Sequence, residues 1–181
     1  MFGKRYDINI PGLRPAYLSS DTADVFDTHS YVFKKLNIND KNSVVCILTN
    51  NPFIDHNLIK HGYEISLKTN FDRISLDCVE VGGDYLYFRQ LRMKNKILKF
   101  INPKAFKESK INRQANDLIF TTINNMRWGK PSYMTNYETY KKIILKKGVN
   151  PIPLTKIKNF DLDDMDDWKI AEAVFKSTTN Y

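Results

Sequence analysis

The chain has 181 residues and a formal net charge of +8 at pH 7, because 28 lysines and arginines outnumber 20 acidic residues. An apolar fraction of 42% and an aromatic fraction of 13% predict a folded protein and exclude a disordered chain. No apolar run approaches the length of a membrane span, and the first residues lack the hydrophobic core of a signal peptide, which predicts a cytoplasmic protein.

Apolar periodicity predicts the elements of the first third of the chain. Residues 19–21, two serines and an aspartate, can cap a helix that continues to about residue 36. The apolar run 43–49 is typical of a strand covered on both faces. After the turn NNPF, a second helix is predicted over residues 55–67, with its glycine as a weak point.

The rest of the chain continues the alternation of strands and helices. The predicted elements are a strand at 73–81, a β-hairpin of 85–93 and 96–101, a strand around 119–128, a helix over 137–147, a strand over about 157–162 and a helix over about 164–176. Strands that alternate with helices of about 10–15 residues predict an α/β fold with a mostly parallel sheet. The length fits one domain over residues 1–181.

Acidic residues are concentrated where the last predicted strand meets the last predicted helix. Asp161 and Asp163 are two positions apart, which places both side chains on one face of a strand. Ligands of α/β proteins bind beyond the carboxyl ends of strands, and paired carboxylates there suit Mg²⁺. The alternative is that the acidic residues 163–167 cap the helix and complement its dipole.

Four segments, taken in this order, resemble the acylneuraminate cytidylyltransferase family. The segments are IPGLRPAYLSSDTADVFDTHSYVFKKL (10–36), SVVCILTNNPFID (43–55), NRQANDLIFTTINNMRWGKPSYM (112–134) and FDLDDMDDWKIAEAVF (160–175). The third looks closest to the pseudaminic-acid branch. The resemblance implies a Rossmann-like nucleotidyltransferase fold of three layers with a mostly parallel sheet and a protruding β-hairpin.

The resemblance also implies an activity and partners. Such enzymes transfer CMP from CTP to a nine-carbon α-keto acid sugar, which is sialic, pseudaminic or a related nonulosonic acid, and they release pyrophosphate. By resemblance, Asp161 and Asp163 hold Mg²⁺ and the protein forms a homodimer. The 85–101 hairpin is the predicted dimer contact, because its apolar residues exceed what two strands can bury.

Further residues receive roles from the same resemblance. Arg14 and Asp21 are expected to bind the nucleotide, while Arg113 and Gln114 are expected to act in catalysis on the anionic sugar or phosphate. An arginine fork suits either oxyanion. The alternative for Arg14 and Arg113 is surface salt bridging.

The departures from the family define a second hypothesis. The family's Gly-rich, basic loop for the CTP phosphates has no match here, and residues 1–6 align with the end of a later family helix. We therefore expect a truncated or split relative, which lacks the first strands, is poorly active alone and has a separate N-terminal fragment as a potential partner. Leu48 and Val25 replace polar family residues. The alternative is a non-catalytic relative that serves as a binding or assembly module.

The remaining features have ordinary structural interpretations. Lysines are scattered along the chain without a block of five like charges or a nucleic-acid-binding motif, so only the charge favours a nucleic-acid partner. Cys46 and Cys78 lie in apolar segments without metal-ligand spacing and are predicted to be reduced, buried thiols. His29 lies on the apolar face of the first helix and is predicted to be packed there.

Overall fold

The structure is a computed structural model that describes residues 5–81, 90–109 and 119–179. Its helices are α1 (Val25–Lys35), α2 (His56–Leu67), α3 (Pro103–Glu108), α4 (Tyr137–Lys147) and α5 (Met165–Thr179). Its strands are β1 (Val45–Leu48), β2 (Ile74–Glu80), β3 (Leu91–Lys94), β4 (Ile97–Phe100), β5 (Phe120–Thr121), β6 (Met126–Gly129) and β7 (Val149–Pro153). No helix among these residues is long and apolar enough to cross a membrane.

The chain divides into two compact units, and strand β2 runs through both. The first unit comprises the described parts of Met1–Asn50, Ile54–Leu76 and Asn124–Ile152. The second comprises the described parts of Asn51–Phe53, Asp77–Ile123 and Pro153–Tyr181.

The sheet of the first unit is mostly antiparallel. Strand β6 lies between β1 and β2, with Val45 opposite Gly129 and Ser75 opposite Trp128. The protein is thus a mixed α/β protein, but the predicted mostly parallel sheet is wrong. Helix α2 does connect β1 to β2, and both run antiparallel to β6. Alternation along the sequence could not reveal that a later strand inserts between these two.

The core of the first unit is apolar and lies under α1 and α4. Its buried members are Phe26, Phe33, Val45, Ile74, Leu76, Met134 and Tyr140. Helix α1 begins later than predicted, because Asp24 is its cap and accepts a hydrogen bond of 2.8 Å from the Phe26 amide. Helix α4 has its predicted bounds, and Gly148 ends it with a positive φ of 71°.

Helix α2 has close to its predicted bounds and packs tightly on β6. Asp55 caps it by accepting a hydrogen bond from the Leu58 amide. Gly62 faces Trp128 so closely that a Cβ there would lie 2.8 Å from the indole Cδ1. The glycine is therefore a close-packing position.

The second unit contains the far end of β2 and the predicted hairpin. Val79 lies opposite Thr121, so β5 is antiparallel to β2. The single predicted strand around 119–128 is divided into β5 and β6. Strands β3 and β4 form the hairpin, and Asn95 and Lys96 form its turn with φ of 52° and 61°, as a type I′ turn requires. The hairpin is confirmed here, although its turn lies one residue later than the predicted Lys94-Asn95, and residues 85–89 lie outside the described part of the chain.

The predicted strand over 157–162 is wrong. The strand instead lies at β7, which pairs with β2 and in which exposed Pro151 and Pro153 alternate with buried Asn150 and Ile152. The prolines hide this strand from a sequence analysis, since proline lacks the amide hydrogen that a ladder needs. Residues 156–158 form a short 3-10 turn, and α5 begins at Met165.

Candidate functional site

The structure places the predicted nucleotide-binding residues at the surface of the first unit. Arg14 and Asp21 are both exposed, in the stretch that leads to α1. Arg113 and Gln114 lie outside the described residues. Asp161 and Asp163 belong to the second unit.

Residues 159–167, which we call the acidic segment, enter α5 through a network of carboxylates. The Asp164 Oδ1 accepts hydrogen bonds of 2.8 and 2.9 Å from the amides of Asp166 and Asp167. In return, the Asp167 Oδ2 accepts hydrogen bonds of 3.0 and 3.1 Å from the amides of Asp163 and Asp164. This reciprocal arrangement is a capping box. The capping alternative therefore holds for Asp164 and Asp167, and these contacts leave Asp161 outside the cap.

Two buried oxygens precede the cap. The Asp161 Oδ1 and the Asn159 Oδ1 are shielded from solvent and have no hydrogen-bond partner among the described residues. A buried polar atom without a partner is unfavourable, and more so when it belongs to an ionisable group. Oxygens from a carboxylate and an amide are ligands that Mg²⁺ and Ca²⁺ accept. These atoms therefore fit a hard cation.

Residues 51–53, the NPF part of the TNNPF turn, lie against the acidic segment within the second unit. Asn51 is 8% exposed, and its Nδ2 donates a hydrogen bond of 2.7 Å to the Lys158 carbonyl oxygen. The Asn51 Oδ1 accepts a hydrogen bond of 2.9 Å from the Phe53 amide, across Pro52. The Phe53 and Phe160 rings meet edge to face at 5.5 Å. The second and fourth segments of the family resemblance are therefore in contact.

An apolar cavity adjoins these elements in the second unit. Its volume is about 210 Å³, and it is lined by Pro52, Phe53, Leu162, Trp168, Ala171, Glu172 and Phe175. Leu162 directly follows Asp161 and lines this cavity. Neighbouring residues of the acidic segment therefore supply a carboxylate, from Asp161, and part of the apolar lining, from Leu162.

The second and third segments of the resemblance meet in the first unit. The Thr49 amide donates to the Asn125 carbonyl oxygen at 3.0 Å, and the Thr49 hydroxyl donates to the Asn125 Oδ1. Leu48 and Val25 are 45% and 46% exposed, so apolar side chains face solvent where the family has polar residues.

His29 and the cysteines have structural roles. The His29 Nδ1 donates a hydrogen bond of 3.0 Å to the Met134 carbonyl oxygen. Burial lowers the pKa of His29, and the positive charge of Arg127 lowers it further. Both cysteines are free thiols; Cys78 is buried, and partial burial raises the pKa of the Cys46 thiol to about 12. The neutral thiol of Cys46 is a poor nucleophile near neutral pH.

Metal-ligating side chains are sparse in the described residues. No group of three or more histidine, cysteine, aspartate or glutamate side chains lies close enough there to hold a metal ion. Proteins commonly bind Mg²⁺ through one or two carboxylates, together with water and substrate phosphates. The buried Asp161 oxygen is one such carboxylate, whereas Asp163 is exposed and the strand that would have placed both side chains on one face does not form.

No protein-family model matches the chain, and no curated protein matches it. The resemblance to the cytidylyltransferases therefore stays a prediction from the four sequence segments.

Proposed function

We propose that this protein is a cytidylyltransferase-like protein that transfers CMP from CTP to a nine-carbon α-keto acid sugar. The sugar hydroxyl would attack the α-phosphorus of CTP, and pyrophosphate would leave. The observation that carries the proposal is the contact of Asn51 and Phe53 with the segment around Lys158 and Phe160. This contact joins two segments of the resemblance beside the buried, unpartnered Oδ1 of Asp161.

Each candidate residue has a role in this proposal. Asp161 and Asp163 would hold Mg²⁺, which neutralises phosphate charge when bound. Arg14 and Asp21 would bind the nucleotide. Arg113 and Gln114, which lie outside the described residues, would bind the sugar acid or the phosphates.

A specific observation favours a second candidate, a non-catalytic binding or assembly module. Leu48 and Val25 expose apolar surface at positions where the family has polar residues. Turnover would require the family's phosphate-binding loop, whose backbone amides and cations stabilise phosphate charge. Without these contacts the rate falls by about three orders of magnitude or more.

Pyrophosphate release with CTP and a panel of nonulosonic acids tests the first candidate against the second. We expect negligible turnover from the 181-residue chain alone and a gain when a strand and basic loop from a family member are supplied, fused or separately. The matched control is the same segment with its basic residues replaced by glutamine. No gain from the intact segment would contradict the enzyme and favour the binding module.

We propose that the β3–β4 hairpin is a contact between two copies of this chain. Met93, Ile97 and Leu98 are all more than half exposed on its two strands. Met93→Lys should convert a dimer into a monomer in light scattering after size exclusion, whereas Lys99→Gln on the same hairpin should not. A strict monomer of the unmodified chain at high concentration would contradict this assignment.

A further inference from the structure

Arg127 is a buried arginine at the centre of the sheet of the first unit. It lies in β6 opposite Ile47 of β1 on one side and Leu76 of β2 on the other. Only 6% of the residue is exposed, and its Nε has no hydrogen-bond partner. Among the described residues, no hydrogen bond or ion pair joins its guanidinium to another side chain. A buried charge normally has such a partner.

One aromatic ring contacts the guanidinium of Arg127. The guanidinium carbon lies 5.8 Å from the centre of the Phe26 ring. The Phe26 ring in turn contacts Tyr140 at 5.2 Å and Tyr137 at 5.5 Å. The ring contact covers the guanidinium without supplying a negative charge, and its Nε stays unpaired among the described residues.

Three groups near the Phe26 ring, on His29, Asp24 and Tyr140, do not pair with the charge of Arg127. His29 cannot act as an anion, because its imidazole is either neutral or positively charged. Burial lowers its pKa and so favours the neutral form. Asp24 lies near enough to act on the charge of His29, but its carboxylate caps α1 through the Phe26 amide. The Tyr140 hydroxyl donates its proton to the Asn124 Oδ1 at 3.1 Å.

We propose that Arg127 binds a small oxyanion, either a carboxylate or a phosphate group of a small molecule. A guanidinium offers a rigid fork of donors whose geometry matches both groups. The small remaining exposure of the residue favours a compact anionic group over the acidic surface of a protein partner. The inference does not depend on CMP transfer, since it concerns only the unpaired charge and its aromatic surroundings.

Thermal unfolding of the full chain in the presence of simple anions tests the site. Sodium phosphate and sodium pyruvate are titrated separately, with sodium chloride keeping the ionic strength constant. A ligand that binds only the folded state raises Tm in proportion to the logarithm of its concentration above Kd. We expect one of the two anions to raise Tm of the unmodified protein. Its Kd should be about 1–10 mM, the modest affinity of a single charge-assisted contact. If phosphate raises Tm, the site binds a phosphate group; if pyruvate raises it, the site binds a carboxylate.

Arg127→Met should abolish this rise and leave the anion-free Tm unchanged or higher, because methionine removes an uncompensated buried charge. Arg73→Met is the matched control, since Arg73 is an exposed arginine of the same unit, and it should keep the full rise. If Arg127→Met does not fold, Arg127→Lys serves instead, and it should retain the fold and show a weaker rise.

Three results would overturn the inference. The first is that neither anion raises Tm of the unmodified protein. The second is that an anion raises Tm equally in the Arg127 and Arg73 variants. The third is a large fall of the anion-free Tm in a folded Arg127→Met variant. The last result would mean that the guanidinium is already satisfied within the protein.

Discussion

Replacing Gly62 with alanine tests the packing of α2 on the sheet. A Cβ at this position would lie 2.8 Å from both the Cδ1 and the Nε1 of Trp128 and 3.0 Å from the Cδ1 of Ile152. All three contacts are too short, and the indole is buried, so overpacking should cost about 1–3 kcal/mol. Alanine regains about 1 kcal/mol of helix propensity, so the net loss of unfolding free energy should be about 0–2 kcal/mol.

Urea denaturation followed by tryptophan fluorescence measures this loss, because Trp128 is itself a buried reporter. Asn57→Ala is the control on the exposed face of α2, where only the gain in propensity applies. Adding Trp128→Phe should relieve part of the Gly62→Ala defect, since the smaller ring removes the shortest contacts. This change also removes the fluorescent reporter, so the Trp128→Phe variants are followed by circular dichroism. If Gly62→Ala stabilised the protein as much as Asn57→Ala does, the close contact of α2 with β6 would be refuted.

Two further predictions concern the two units separately. Because the folded pKa of His29 is below its ordinary value of 6.5, the unfolded state binds the proton more readily, and stability should fall as the pH drops below about 6.5. His29→Gln should flatten this dependence in urea unfolding at several pH values, whereas exposed His61→Gln should not; equal slopes would contradict the assignment. Asn51→Ala removes two hydrogen bonds and should cost about 1–3 kcal/mol in the second unit, measured by thermal unfolding against exposed Asn57→Ala. An unchanged Tm would mean that the Asn51 contact with Lys158 does not hold the turn in place.

Local signals in the sequence predicted α2 and α4 closely, whereas α1 begins later than predicted and α3 was not predicted. The bounds of α2 and α4 follow from the caps Asp55 and Gly148, which act within a few residues. The hairpin turn at Asn95 and Lys96 is likewise a local feature. The order of the strands depends on contacts between distant residues, and the position of β6 between β1 and β2 has no local signal.

The candidate sites were predictable only in part. The alternation of Phe160 and Leu162 with aspartates imitates a strand, although the Phe160 ring packs on Phe53 in an irregular segment. The concentration of carboxylates did identify the acidic segment. Arg127 was missed, because it stands between apolar residues of a segment interpreted as core. The one signal in the sequence that could have identified Arg127 is its charge within the apolar segment that forms β6.

Calorimetric titration of CTP into the full chain, with Mg²⁺ and with EDTA, tests the central claim that the acidic segment holds a metal for nucleotide binding. Mg²⁺ should strengthen CTP binding to the unmodified protein at least about tenfold, which corresponds to about 1.4 kcal/mol. Asp161→Asn and Asp163→Asn should each remove this Mg²⁺ dependence with little change in Tm. Asp166→Asn, an exposed position of the same segment, should keep the dependence. Equal CTP affinity of the unmodified protein with and without Mg²⁺, or full Mg²⁺ dependence in the Asp161 and Asp163 variants, would contradict the claim.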